Sequence, residues 1–136
     1  MKNLKLPIWI IILSAVFALL EILVSFSIYF SPESVAENVD LKAKGVDYLM
    51  QTWAIRQFAL GFIFAFATIK KSSAMLTIAY IFFLVMMLGD VWIGFMQKNN
   101  VLIIAASFMS LLCISMIFVL KKQSRESQKP SILSKN

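Results

Sequence analysis

Residues 7–30, 50–69, 74–96 and 101–120 are four apolar runs, none interrupted by more than one ionisable side chain. A helix needs about 20 apolar residues to cross a bilayer core of roughly 30 Å. Each run meets that length, so the chain is predicted to be all-α, a four-helix transmembrane bundle. The composition agrees. Hydrophobic residues make up 60% of the 136 residues and charged residues 15%, against about 45–50% and 25% in soluble domains. The mean hydropathy is +0.84. So short a chain exposes a large fraction of its surface and cannot hide such an excess in a core. Lipid must therefore be the solvent for much of it. The first run is longer than the roughly 7–15 residues of a signal-peptide core and contains Glu21, so it is expected to be a retained span.

The connections "KKSS" and "QKNN" are tight and make spans two, three and four antiparallel in sequence order. Cations set the direction. Lys2 and Lys5 precede the first span, Lys70 and Lys71 follow the second, and Lys121, Lys122, Arg125, Lys129 and Lys135 follow the fourth. The first connection offsets Lys42 and Lys44 with Glu33, Glu37, Asp40 and Asp47, and the third has Lys98 alone. The positive-inside rule then predicts both termini in the cytoplasm. Ser31, Pro32 and Glu33 suit the N-cap and first turn of a short surface helix in the first extracytoplasmic loop. Residues 1–120 form the membrane domain, and 121–136 read as a disordered basic tail. The tail's lysines either lie against anionic lipid or serve as a plain stop-transfer flank.

Several chemistries are excluded. The net charge of +6 is concentrated at span ends without interleaved aromatics, so no nucleic-acid partner is expected. One cysteine, Cys113, and no histidine exclude an intrachain disulfide, a CxxC couple and any imidazole-held metal within one chain. No cofactor is expected. Trp9, Tyr29, Trp53 and Trp92 fall near span ends as aromatic-belt residues. Cys113 is expected to pack as a small hydrophobe.

The ionisable residues inside the spans are Glu21, Arg56 and Asp90. Such residues cost about 2.5–3.5 kcal/mol at a helix centre and normally face a bundle interior or a wet cavity. At about 1.5 Å per residue, Glu21 lies about 13 Å from the outer end of its span, and Arg56 and Asp90 about 9 Å from theirs. Three helices thus bring charge to one layer of the outer leaflet. Small or polar stripes accompany it: Ser14, Ala18, Glu21 and Ser25; Gln57, Gly61, Ala65 and Thr68; Ala106, Ser110 and Cys113, with Ser107 near the charged layer. On span three, Tyr80, Phe83, Met87, Asp90, Gly94 and Gln97 share a face. Gly89 and Gly94 are expected to permit close packing. Arg56 remains protonated, so with both carboxylates ionised the trio carries one surplus negative charge in a low dielectric. That surplus favours a proton on one of Glu21 and Asp90. The candidate ligand or proton site is therefore Glu21, Arg56 and Asp90, supported by Gln57, Ser25, Trp53, Trp92 and Ser107. A purely structural network holding spans one to three in register explains the same residues.

"FSPES" after the first span, "WAIRQFALGFIF" in the second and "LGDVWIGF" closing the third resemble the DoxX-like group of small four-helix bacterial membrane proteins. The shared motifs are Arg56 with Gly61, and Gly89 with Asp90. The resemblance implies a four-helix membrane bundle, and the chain is expected to be a multi-pass protein of the cytoplasmic (inner) membrane. The group takes its name from a subunit of a quinone-linked oxidoreductase. This chain lacks the paired cysteines and histidines for independent redox chemistry, so no such activity is carried over.

Three functions follow. The first is a non-catalytic protein that binds a proton, a small lipophilic or ionic ligand, or a partner through the charged layer. The second is a proton-coupled carrier acting as a homo-oligomer, which Arg56 opposes for cationic cargo. The third is a quinone- or lipid-linked enzyme subunit with Asp90 or Glu21 as acid/base. No nucleophile with an adjacent base supports it.

Overall fold

A computed structural model of the chain describes residues 6–34 and 40–128, the side chains of 126–128 excepted. Lys2, Lys5, Glu37, Lys129 and Lys135 lie outside the described residues. The fold is helical: α1 (Ile8–Phe30), a 3₁₀ turn (Pro32–Ser34), α2 (Val46–Ile69), α3 (Ser73–Gln97) and α4 (Asn100–Gln128). All 4 helices are long and apolar enough to cross a membrane, so the chain is a multi-pass membrane protein by the length and composition of its helices.

Local chemistry explains the helix ends. Pro7 opens α1, its carbonyl accepting from the amides of Ile10 and Ile11. At the far end, where a surface helix is expected, the described residues form a 3₁₀ turn, Pro32–Ser34, and residues 35–39 lie outside the described residues. There the Ser34 amide and hydroxyl both donate to the Ser31 carbonyl, at 3.0 and 2.7 Å. Helix α2 starts at Val46 rather than at residue 50. Asp40 folds the chain beforehand, its Oδ1 accepting from the Lys42 amide at 3.0 Å. Gly45 then takes φ 91°, a left-handed conformation that favours glycine. Asp47 follows in the first turn, where the helix dipole favours a carboxylate. Ser72 caps α3 by accepting from the Met75 amide at 3.4 Å. Between α3 and α4, Lys98 is left-handed and the Asn99 amide returns to the Gly94 carbonyl at 2.9 Å. Asn99 Oδ1 then caps α4 through the Leu102 amide at 3.1 Å.

Helix α4 does not end with its apolar run. It continues through Lys121 to Gln128, so residues 121–128 are helical where an irregular tail is predicted from sequence. Lys, Gln, Arg and Glu are good helix formers, and extending an existing helix avoids the cost of nucleation.

The described chain divides into two compact units, Pro7–Lys70 and, together with Leu6, the part from Lys71 onward. In the first, α1 and α2 pack as an antiparallel hairpin. Ser25 Oγ donates to the Ala54 carbonyl at 2.8 Å across the seam. The Phe17 and Phe64 rings stack at 5.9 Å. At Gly61 an added Cβ would lie 2.7 Å from Ile22 Cγ1 and 3.0 Å from the Ala18 carbonyl oxygen. This close approach is the small-residue packing that helices use in lipid, where burial away from water gives no drive for association. In the second unit, Ser73 Oγ donates to the Leu120 carbonyl at 3.4 Å. Near the α3–α4 turn, a Cβ on Gly94 would meet Ile103 Cγ1 at 2.8 Å. Gly89 has nothing within 4 Å of its Cβ position. Of the two glycines expected to allow close packing on α3, only Gly94 does so.

Other hydroxyls in the spans turn inward on their own helices. Thr68 donates to Phe64 and Ser110 to Ala106, each four residues back. Such bonds keep a hydroxyl satisfied where lipid offers no partner.

Candidate functional site

The α1–α2 seam positions Glu21. Ser14, Ala18, Glu21 and Ser25 are all buried, as their helical spacing predicts. On α2, Gln57, Gly61 and Thr68 of the matching stripe are buried, and Ala65 is half-buried. Two contacts fix the register here: the Ser25–Ala54 hydrogen bond and the approach of Gly61 to Ala18 and Ile22. Glu21 lies between Ala18 and Ser25 on one helix, and Gln57 lies between Ala54 and Gly61 on the other. The two side chains therefore occupy the same interval of the seam, each 7% exposed. Gln57 Oε1 is buried and accepts no hydrogen bond. An unmet buried acceptor costs about 1–3 kcal/mol, which a donor at that position would offset.

Arg56 immediately precedes Gln57 and is rotated by about 100° around the helix. It is exposed. Because α2 starts at Val46, Arg56 stands ten residues into the helix, about 15 Å. Ser25, predicted to support the site, spends its hydroxyl on the Ala54 carbonyl. Trp53 and Trp92 are 38% and 68% exposed.

Asp90 belongs to the second unit. It is half-buried on α3, as is Ser107 on α4. Asp90 is four residues before Gly94 and Ser107 four after Ile103, and Gly94 packs on Ile103. In an antiparallel pair those equal offsets bring Asp90 and Ser107 to one level. Within the two units, the predicted site residues thus resolve into two polar levels: Glu21 with Gln57, and Asp90 with Ser107. Tyr80, Phe83, Met87 and Gly94 of the predicted α3 face are buried, whereas Gln97 is exposed. Among the described residues, no three His, Cys, Asp or Glu side chains are grouped to hold a metal ion.

One feature of the first unit is not evident from the charged residues. An open groove of about 220 Å³ is lined by Ser25, Phe26, Tyr29, Phe30, Ala54, Ile55 and Phe58. Its aromatic wall is a chain of ring contacts. Phe26 stacks on Phe30 at 6.1 Å and meets Phe58 edge-on at 6.3 Å, and Tyr29 abuts Phe30 at 5.1 Å. The sequence signal was present in the i, i+4 spacing of Phe26 and Phe30, within a span where aromatics also read as lipid-facing. The groove is smaller than the roughly 300–1,000 Å³ of small-molecule pockets.

No protein-family profile, curated protein or solved structure matches this chain.

Proposed function

We propose that the protein is a non-catalytic integral membrane protein of DoxX-like type whose Glu21–Gln57 level takes up a proton or a small ligand bearing a hydrogen-bond donor. The observation that carries this reading is the buried, unmatched Gln57 Oε1 beside the seam position of a buried carboxyl group. A proton on Glu21 supplies an O–H donor, and a ligand N–H or O–H supplies the same chemistry. Arg56 adds a positive field from the exposed face of the helix that carries Gln57, and Asp90 is a second acid within the other unit. The test is infrared spectroscopy of the protein in nanodiscs, titrated through neutrality. A protonated-carboxyl band is expected that vanishes in Glu21→Gln and shifts in Gln57→Leu. Identical carboxyl spectra for the parent and Glu21→Gln at every pH would sink the reading.

The same proposal places both termini in the cytoplasm of a bacterial inner-membrane protein. Support comes from the cation distribution: Lys70, Lys71, Lys121, Lys122 and Arg125 flank the spans on one side by the alternation of four crossings, against Lys98 and the acid-balanced first connection on the other. Cys113 is buried, so introduced cysteines can report alone. In right-side-out spheroplasts, Ser34→Cys and Lys98→Cys are expected to react with an impermeant maleimide. Lys71→Cys and Arg125→Cys are expected to react only after permeabilisation. The reverse pattern would invert the topology.

A further inference from the structure

Among the described residues, four of the five cations of the α3–α4 unit lie at one end. The Ser73–Leu120 hydrogen bond brings the start of α3 level with Leu120, which is the last apolar residue of α4. Helix α4 then runs on to Gln128, about 12 Å beyond Leu120. The added turns hold Lys121, Lys122 and Arg125, all exposed, with Glu126 following in sequence. On α3, exposed Lys71 directly precedes the N-cap Ser72. Four described cations, Lys71, Lys121, Lys122 and Arg125, therefore gather at this end. At the opposite end of the unit, the turn between α3 and α4 has Lys98 alone.

Two features of this end call for an anion. A cation near a helix C-terminus is favoured by the dipole, which accounts for Arg125 in the last turn of α4. Lys71 is in the opposite situation, beside the positive N-terminal end of α3, where the dipole disfavours it. Lys121 and Arg125 are also four residues apart, so like charges share one helix face. Residues 101–120 span about 30 Å, the thickness of the hydrocarbon core. The cations begin where that length ends, at headgroup depth. A phosphate there would meet Lys ammonium groups and a guanidinium fork beside the positive end of the α3 dipole.

We propose that Lys71, Lys121, Lys122 and Arg125 form a binding surface for the phosphate headgroups of anionic phospholipids. The phosphate bridges α4's extension to the start of α3. The surface is independent of the Glu21–Gln57 reading and of which side of the membrane it faces.

The test reconstitutes the full chain in phosphatidylcholine nanodiscs containing a minor fraction of labelled phosphatidylglycerol. Energy transfer from the protein then reports enrichment of the anionic lipid. Enrichment is expected for the parent chain and for Lys98→Gln. It is expected to fall about fivefold for Lys71→Gln and at least tenfold for the triple variant Lys121→Gln, Lys122→Gln, Arg125→Gln. Arginine at 121 and 122 should preserve it, and equal helicity by circular dichroism shows that the variants fold. Millimolar inorganic phosphate should not displace the lipid. Undiminished enrichment in the triple variant, or an equal loss in Lys98→Gln, overturns the proposal. Displacement by inorganic phosphate would identify a free-anion site instead and overturn it as well.

Discussion

Leucine in place of Gly61 is expected to destabilise the α1–α2 unit by about 1–3 kcal/mol, read as a shift in unfolding of the reconstituted protein by denaturing detergent. Two of the three atoms nearest an added Cβ are backbone, the Ala18 carbonyl oxygen at 3.0 Å and the Ile22 amide at 3.1 Å. Backbone cannot rotate aside as a side chain can, so the two helices must separate. Separation would also stretch the 2.8 Å bond from Ser25 Oγ to Ala54, which lies two turns away along the seam. Alanine should produce the same effect in smaller measure. Leucine at Gly89, where nothing lies within 4 Å, should change stability by no more than about 0.5 kcal/mol. Equal behaviour of the two leucine variants would mean that the seam is not set by Gly61.

Alanine in place of Phe64 should cost about 3 kcal/mol in the same assay. Phe64 is fully buried and stacks on Phe17. The figure is at the lower end for large aromatics because lipid, unlike water, does not penalise an exposed apolar side chain. The loss is mainly of packing, since a cavity has no partner atoms for its lining. Leucine at the same position fills much of the volume and should recover over half of the difference. A Phe64→Ala protein as stable as the parent would show that lipid fills the gap.

The spans were legible because apolar length is a one-dimensional property. So were the buried stripes, since helical spacing placed Ser14, Ala18, Glu21 and Ser25 on one face without knowledge of a partner. Helix ends were less so. The start of α2 depends on a left-handed Gly45 and on Asp40 folding its own backbone, neither of which alters hydropathy. The extension of α4 is polar and so looks like a tail, although its residues are good helix formers. Depth along a span could be read, but azimuth only where a stripe declared it. Hence Arg56 and Gln57 share a level in sequence while only Gln57 is buried. Gly89 and Gly94 looked equivalent as glycines on one helix, yet their environments depend on Ile103, a residue of the next helix.

The overhang of α4 acts as a depth stop. Sliding the helix one turn, about 5.4 Å, into the membrane would pull Lys121 and Lys122 into the edge of the hydrocarbon, at a fraction of the roughly 2.5–3.5 kcal/mol that each would cost at the centre. Sliding it outward would draw the apolar residues before Lys121 into the headgroups. Ser73, bonded to Leu120, ties α3 to the same stop. The vertical position of Asp90 and Ser107 is thereby gauged from the far leaflet, so a charge placed at one face of the membrane sets how deep a carboxyl group rests near the other.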